Sequence, residues 1–174
     1  MSFQDKSYEV FRLFNDRWAL VTAGTVDRYN TMTIARGSMG TIWGPPHRGK
    51  SILTVYVSPA RYTHEFLESS DYFTVSFFPE EYRGDLGLLG SRSGRDGDKV
   101  ALTRLTPVAA SHGVDFAQAE LSFVCRKLYS HQFERDEVPR DVADWIYTRV
   151  PPHTMFIGEI VDVVERGADK EDKA

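Results

Sequence analysis

A chain of 174 residues, 41% hydrophobic and 26% charged, is long enough for one domain with a real core and has the composition of an ordinary globular protein. Its net charge of −4 argues against a general nucleic-acid binder, which needs a surface that neutralises phosphates, but leaves room for a local basic pocket around a small anion. The single cysteine, Cys125, excludes an intrachain disulfide and a cysteine-ligated zinc within one chain. Along the chain, residues 18–23 read as a strand, and Tyr29-Asn30-Thr31 as the turn into another that runs toward Trp43. Residues 52–57, Ile-Leu-Thr-Val-Tyr-Val, are β-branched and dense enough for a buried strand. Ser58-Pro59 then reads as an N-cap with proline at the first helical position, opening a helix through Tyr62, Phe66 and Leu67 to about Ser70. A strand over 72–78 closed by Pro79, a short helix over 82–89, strands over 106–110, 119–129 and 154–164, and a helical turn over 141–147 complete the pattern. Many strands and few helices favour a mainly β fold, a barrel or sandwich with added helices. Residues 1–165 form the expected domain, followed by a charged tail over 166–174. The N-terminus has no apolar leader and no segment suits a membrane span, so a soluble cytoplasmic protein with no membrane partner is the expectation.

Two basic, glycine-bearing loops compete for attention. Gly44-Pro45-Pro46-His47-Arg48-Gly49-Lys50-Ser51 matches the P-loop expression letter for letter. That motif needs a helix directly after the lysine, because helix N-terminal amides hold the phosphates. Here a strand pattern follows, and two prolines remove amides from the cradle, so the segment reads as an exposed hairpin connection. The second loop is residues 90–99, Gly-Ser-Arg-Ser-Gly-Arg-Asp-Gly-Asp-Lys. Its glycines free backbone N–H groups to converge, its serines add donors, and Arg92, Arg95 and Lys99 add charge. It reads either as a solvated turn or as an anion site, most naturally for a phosphate.

Other constellations carry less. The histidines at 47, 64, 112, 131 and 153 show no metal-type local pairing, and no metal is expected. No Gly-x-Ser-x-Gly elbow is present in a strand-to-helix context, and Cys125 sits in an apolar run as a structural thiol would. Asn30-Thr31-Met32-Thr33 is either a turn entering a strand or a hydrogen-bonding cluster. Ser58, Arg61 and Thr63 stand where a strand becomes a helix, and read either as plain capping or as a second anion contact.

Taken in order, these pieces resemble the flavin reductase-like, FMN-binding split-barrel family that includes flavoredoxin. The matching segments are Asn30-Thr-Met-Thr, Trp43-Gly44, Pro59-Ala-Arg-Tyr-Thr63 with Glu65-Phe66, and Ser70-Asp-Tyr-Phe73. They continue with the 90–99 loop, Cys125-Arg-Lys-Leu-Tyr129 and His153-x-x-x-x-Gly158-Glu159-Ile160. The resemblance spans residues 15–165. It implies a six-stranded antiparallel Greek-key split barrel flanked by helices, a homodimer, and FMN near the subunit interface. It also implies that Asn30, Thr31, Met32 and Thr33 contact the isoalloxazine edge and ribityl chain. Ser58, Arg61, Tyr62 and Thr63 would lie near the phosphate, with Ser91, Ser93, Gly94, Arg95 and Lys99 closing over it. Trp43 would be a wall of the flavin site or else a core tryptophan. His153 would orient a nicotinamide or acceptor, or else be a satisfied histidine at a strand entry.

Three departures from the family pattern bear on this site. Arg36 stands where many relatives carry a flavin-lining tryptophan, which would put a cation near flavin N1 and favour the anionic reduced form. Ser58 replaces a frequent basic residue, and Pro151-Pro152 replace a frequent Gly-Asp. The resemblance implies an oxidoreductase in which NAD(P)H passes a hydride to flavin N5 and reduced flavin serves an acceptor. Two alternatives share the pocket: a flavoredoxin-like carrier reduced by a partner protein, and a non-redox flavin-binding protein.

Overall fold

A computed structural model describes residues 2–167. The chain runs α1 (Val10–Arg12), which continues as a wider turn over Leu13–Arg17, then β1 (Ala19–Thr25), β2 (Arg28–Ile34), β3 (Gly37–Ile42) and β4 (Lys50–Val57). It continues through α2 (Tyr62–Ser69), β5 (Tyr72–Phe77), α3 (Arg83–Ser91), β6 (Pro107–Ala109), β7 (Val114–Phe116), β8 (Leu121–Gln132), α4 (Arg140–Ile146) and β9 (Thr154–Glu165). Seven strands form one antiparallel sheet in the order β2-β1-β5-β8-β9-β4-β3, and β6 pairs with β7 in a separate hairpin. The two outer strands of that order, β2 and β3, are joined by Ala35 and Arg36 alone. Three Cα steps reach at most about 11 Å, whereas seven strands laid flat would put the outer two about 29 Å apart. The sheet therefore curls until its edges nearly meet. With β2 and β3 counted as one strand bent at Ala35–Arg36, this is the expected six-stranded barrel.

Why these strands curl around one core is visible in their side chains. Val21, Leu53, Val55, Phe73, Val75, Phe77, Phe123 and Phe156 fill the barrel. Leu20 points outward from β1 into a second core with Leu86, Leu89 and Val100 beneath α3. On β5 the outward positions are hydroxyls, yet they are buried. Thr74 Oγ1 donates to the Val114 carbonyl at 2.5 Å and Ser76 Oγ to Asp115 Oδ1 at 2.8 Å, so the β6–β7 hairpin covers polar side chains and satisfies them. Cys125 is fully buried in the barrel, and burial pushes its thiol pKa well up, as expected of an inert structural thiol.

Several boundaries differ from the sequence reading, each for a local reason. The turn into β2 is Val26-Asp27, so Asn30 and Thr31 lie inside the strand and are buried. Ser58-Pro59 does not open a helix. Arg61 N–H donates to the Ser58 carbonyl at 2.9 Å and Ser58 Oγ accepts from Ala60 N–H at 3.3 Å. A turn thus intervenes, and α2 starts at Tyr62. The helix before the 90–99 loop runs on through Ser91. Of the expected tail, residues 168–174 fall outside the described range. Arg166 is tied down, its guanidinium pairing with buried Asp115 at 2.7 Å. Among the described residues no helix is long and apolar enough to cross a membrane.

Candidate functional site

The geometry of the 90–99 loop ends on Lys99. After α3, Ser93 Oγ accepts from Arg95 N–H at 3.2 Å and starts a tight turn over Gly94–Asp96. Asp98 Oδ1 then accepts from Val100 N–H at 3.1 Å and Ala101 N–H at 3.2 Å, which turns the chain back into the protein and sends Lys99 inward. Lys99 is only 5% exposed. Its ammonium donates to the carbonyls of Leu89 at 2.9 Å and Arg92 at 3.0 Å, the C-terminal end of α3, where a cation is favoured. An ammonium has three donors, and among the described residues no carboxylate pairs with it. Burial, and then the Arg61 guanidinium, lower its pKa to about 8. Lys99 is thus a buried cation short of a counter-charge.

Two adjoining hollows meet at this ammonium and share Asn30, Tyr62, Gly94 and Lys99. The smaller, about 70 Å³, is lined by Met32, Arg61, Thr63 and Ser93. The larger, about 330 Å³, has an aromatic wall of Tyr29, Tyr62 and Phe66 and a charged rim of Asp27, Arg28 and Asp98. Asn30, 7% exposed, donates from Nδ2 to Thr63 Oγ1 at 2.7 Å. A Cβ on Gly94 would sit 2.1 Å from Asn30 Oδ1, so only glycine lets the loop lie this close to β2. A pocket with apolar walls, a few placed polar groups and a buried cation at one end suits a flat ring carrying a phosphate.

Not every residue singled out in the sequence faces these hollows. Thr31 Oγ1 bonds Thr22 Oγ1 at 2.7 Å, Thr33 Oγ1 donates to the Leu86 carbonyl at 2.5 Å, and Ser91 Oγ donates to the Leu88 carbonyl at 3.0 Å. These hydroxyls are spent on the scaffold, although Thr31 itself lines the larger hollow. Ser58 is buried in its own turn. Arg95 turns away from Lys99 to pair with Glu65 on α2. Arg36 is exposed at the β2–β3 bend, and Trp43, 58% exposed, stands at the end of the β3–β4 hairpin. That exposure rules out the core-tryptophan alternative for Trp43 in the single chain, and neither residue lines the hollows. His153 Nδ1 lies 3.2 Å from the Tyr147 hydroxyl. Burial first, then the Arg61 charge, lower its pKa, which leaves a neutral imidazole at pH 7; it lines neither hollow. Tyr29 and Phe66, which line the larger hollow, are not among the site residues expected from the sequence. The four-residue spacing of Tyr62 and Phe66 on α2 was the available signal for the aromatic wall.

A family model described as flavin reductase like domain matches residues 11–173. The chain belongs to the flavin reductase like domain family. Solved structures of the same fold include an FMN-binding protein from Thermus thermophilus with bound p-hydroxybenzaldehyde, at 21% identity and a TM-score of 0.66 over 97% of this chain and 82% of that one. Flavoredoxin of Desulfovibrio vulgaris (Miyazaki F) is similar at 24% identity and a TM-score of 0.63, over 95% and 76%. The styrene monooxygenase flavin reductase of Pseudomonas putida S12 is similar at 19% identity and a TM-score of 0.61, over 92% and 86%. No curated protein matches the sequence. Within this flavin reductase like domain, the donor set around Lys99 fits a flavin phosphate. The ammonium's remaining donor, the Arg61 guanidinium and the Ser93 hydroxyl supply positive charge and hydrogen bonds where, among the described residues, no carboxylate pairs with Lys99.

Proposed function

We propose that the paired hollows hold FMN, with its phosphate at Lys99 and Arg61 and its ring against Asn30, Met32 and the Tyr29–Tyr62–Phe66 wall. In this reading the protein is an oxidoreductase that passes electrons from NAD(P)H to an acceptor and works as a homodimer. The observation that carries it is the buried, uncompensated Lys99 ammonium at the junction of the hollows. Bound flavin supplies the redox chemistry, accepting a hydride and releasing electrons onward. The chain's own residues bind and orient: Lys99 and Arg61 neutralise the dianion, and Asn30, held by Thr63, lines both hollows beside the ring. His153, kept neutral by burial and by Arg61, offers an uncharged imidazole to a nicotinamide carboxamide or an acceptor. No protein nucleophile is needed, because hydride transfer demands proximity and alignment above all. The homodimer is supported by the outward face of β4 and β9, where Tyr56, Met155, Ile157 and Val161 stay at least partly exposed.

The test is the absorption spectrum of the FMN-loaded protein during anaerobic mixing with NADH and, separately, NADPH. Bleaching of the flavin band within seconds is the expected result. A protein that holds FMN and bleaches with neither donor acts as a carrier or a flavin-binding protein instead. A protein that takes up no FMN ends the proposal.

A further inference from the structure

The 92–98 segment crosses the cleft like a strap, and what ties it down is Arg95. The backbone of Gly94 rests against Asn30 and Tyr62. Lys99 lies buried behind it, and the smaller hollow opens under Ser93 and Gly94. Among the described residues, the hydrogen bonds that cross from this segment to α2 and the turn before it all come from Arg95. Its guanidinium pairs with Glu65, and Nη1 donates to the Ala60 carbonyl at 3.3 Å. The same guanidinium lies over the Tyr62 ring, 4.9 Å from its centroid. We propose that Glu65 is a positioning residue that sets how long the flavin stays bound, by latching the 92–98 strap over the phosphate through Arg95. This rests on the flavin reading above and adds a residue that touches neither flavin nor phosphate.

Physical chemistry decides what kind of latch it is. Side-chain exposures of 45% for Arg95 and 57% for Glu65 put the pair in water and salt, where such a contact is weak and screened. A weak external latch over a strong buried contact separates two jobs. Lys99 and Arg61 provide affinity, while Arg95–Glu65 governs the opening through which flavin leaves. Because its charge is already paired with Glu65, Arg95 adds little to the phosphate's own neutralisation.

The experiment follows release of FMN from fully loaded protein into an excess of a flavin-trapping protein, by flavin fluorescence. Glu65→Gln is expected to speed release about two- to fivefold, the range of one exposed ion pair, and to leave the fold unaltered because the side chain is exposed. Wild-type release should quicken between 50 and 500 mM NaCl on the order expected for screening at these strengths, and E65Q should lose much of that dependence. On an Arg95→Met background, E65Q should add nothing, since Glu65 acts only through Arg95. Unchanged release in E65Q, tighter FMN binding in E65Q, or an equal effect on both backgrounds would overturn the latch. Failure of the wild type to bind FMN would instead overturn the flavin reading and the latch together.

Discussion

Two loops in this chain carry glycine, arginine and a closing lysine, and they have opposite fates. The 44–50 loop has the better-known motif. It ends as a hairpin turn between β3 and β4, closed by Lys50 N–H donating to the Trp43 carbonyl at 2.9 Å, with left-handed backbone at Trp43, Gly44 and His47. Lys50 then lies on the barrel's outer face, partly exposed, and pairs with Glu159 at 2.7 Å. The 90–99 loop matches no phosphate expression, yet Lys99 is buried, capped on the end of α3 and, among the described residues, paired with no carboxylate. The contrast teaches that an anion site is made by where the lysine is sent and by what already neutralises it. Composition sets neither. A strand after Lys50 alternates side chains and puts the ammonium outside beside an acid, while a tight turn after Asp98 drives Lys99 under the loop.

The sharpest way to break that comparison is to remove each lysine. Lys99→Ala is expected to weaken FMN binding about 100-fold, the scale of losing a buried charge-assisted contact. Lys50→Ala should change it less than about twofold, as befits an exposed ion pair. Fluorescence titration of apoprotein with FMN measures both, and equal losses would erase the distinction. The next test compares glycines. A methyl on Gly94 meets Asn30 Oδ1 at 2.1 Å, whereas one on Gly49 meets Thr41 Cβ at 3.3 Å. Gly94→Ala should therefore cost about 1–3 kcal/mol in stability by urea unfolding and loosen FMN as well. Gly49→Ala should cost less and leave FMN affinity alone.

The smallest expected effect is a pH dependence that belongs to one loop only. Lys99 in the folded, flavin-free protein titrates at about 8, below the ordinary lysine value, so its burial penalty is complete below pH 8 and disappears as pH rises toward the unfolded value. Flavin-free stability should therefore gain between about pH 8 and 10.5 from this group, because there the unfolded chain binds the extra proton. FMN binding has the opposite sign. It needs the charged ammonium, so affinity should fall about tenfold from pH 7 to pH 9. Lys99→Ala should lack both effects, and their persistence in that variant would assign them to another group.

Much of this molecule is legible in the chain because short-range physics decides it. The β-branched run of β4, the 3.6-residue spacing of Tyr62, Phe66 and Leu67, and the failure of the P-loop pattern before a strand all follow from local preference. Even the missed N-terminal segment carried a signal, since Val10, Leu13 and Phe14 recur at helical spacing, and Leu13 and Phe14 are buried in the barrel. Ser58-Pro59 forms a turn and not the expected helix start because two local solutions, a cap and a turn, satisfy the same residues. On β5, alternation of Phe, Thr, Val and Ser suggests one wet face. The β6–β7 hairpin, more than thirty residues on, buries that face and supplies its acceptors.

What the sequence determined by itself is the mainly β fold, the order of its elements and the family to which they belong. Its residue types also narrowed the site to a few polar clusters. Only the tertiary structure decided which members of those clusters face one another. It tied the hydroxyls of Thr31, Thr33 and Ser91 to the scaffold, and it committed Arg95 to Glu65. It also left Lys99 buried near Arg61 with, among the described residues, no carboxylate paired to it. The reason is that strand alternation and helix periodicity are set within a few residues, while the neutralisation of a buried charge depends on groups far apart in sequence that only the closed barrel brings within a few ångströms.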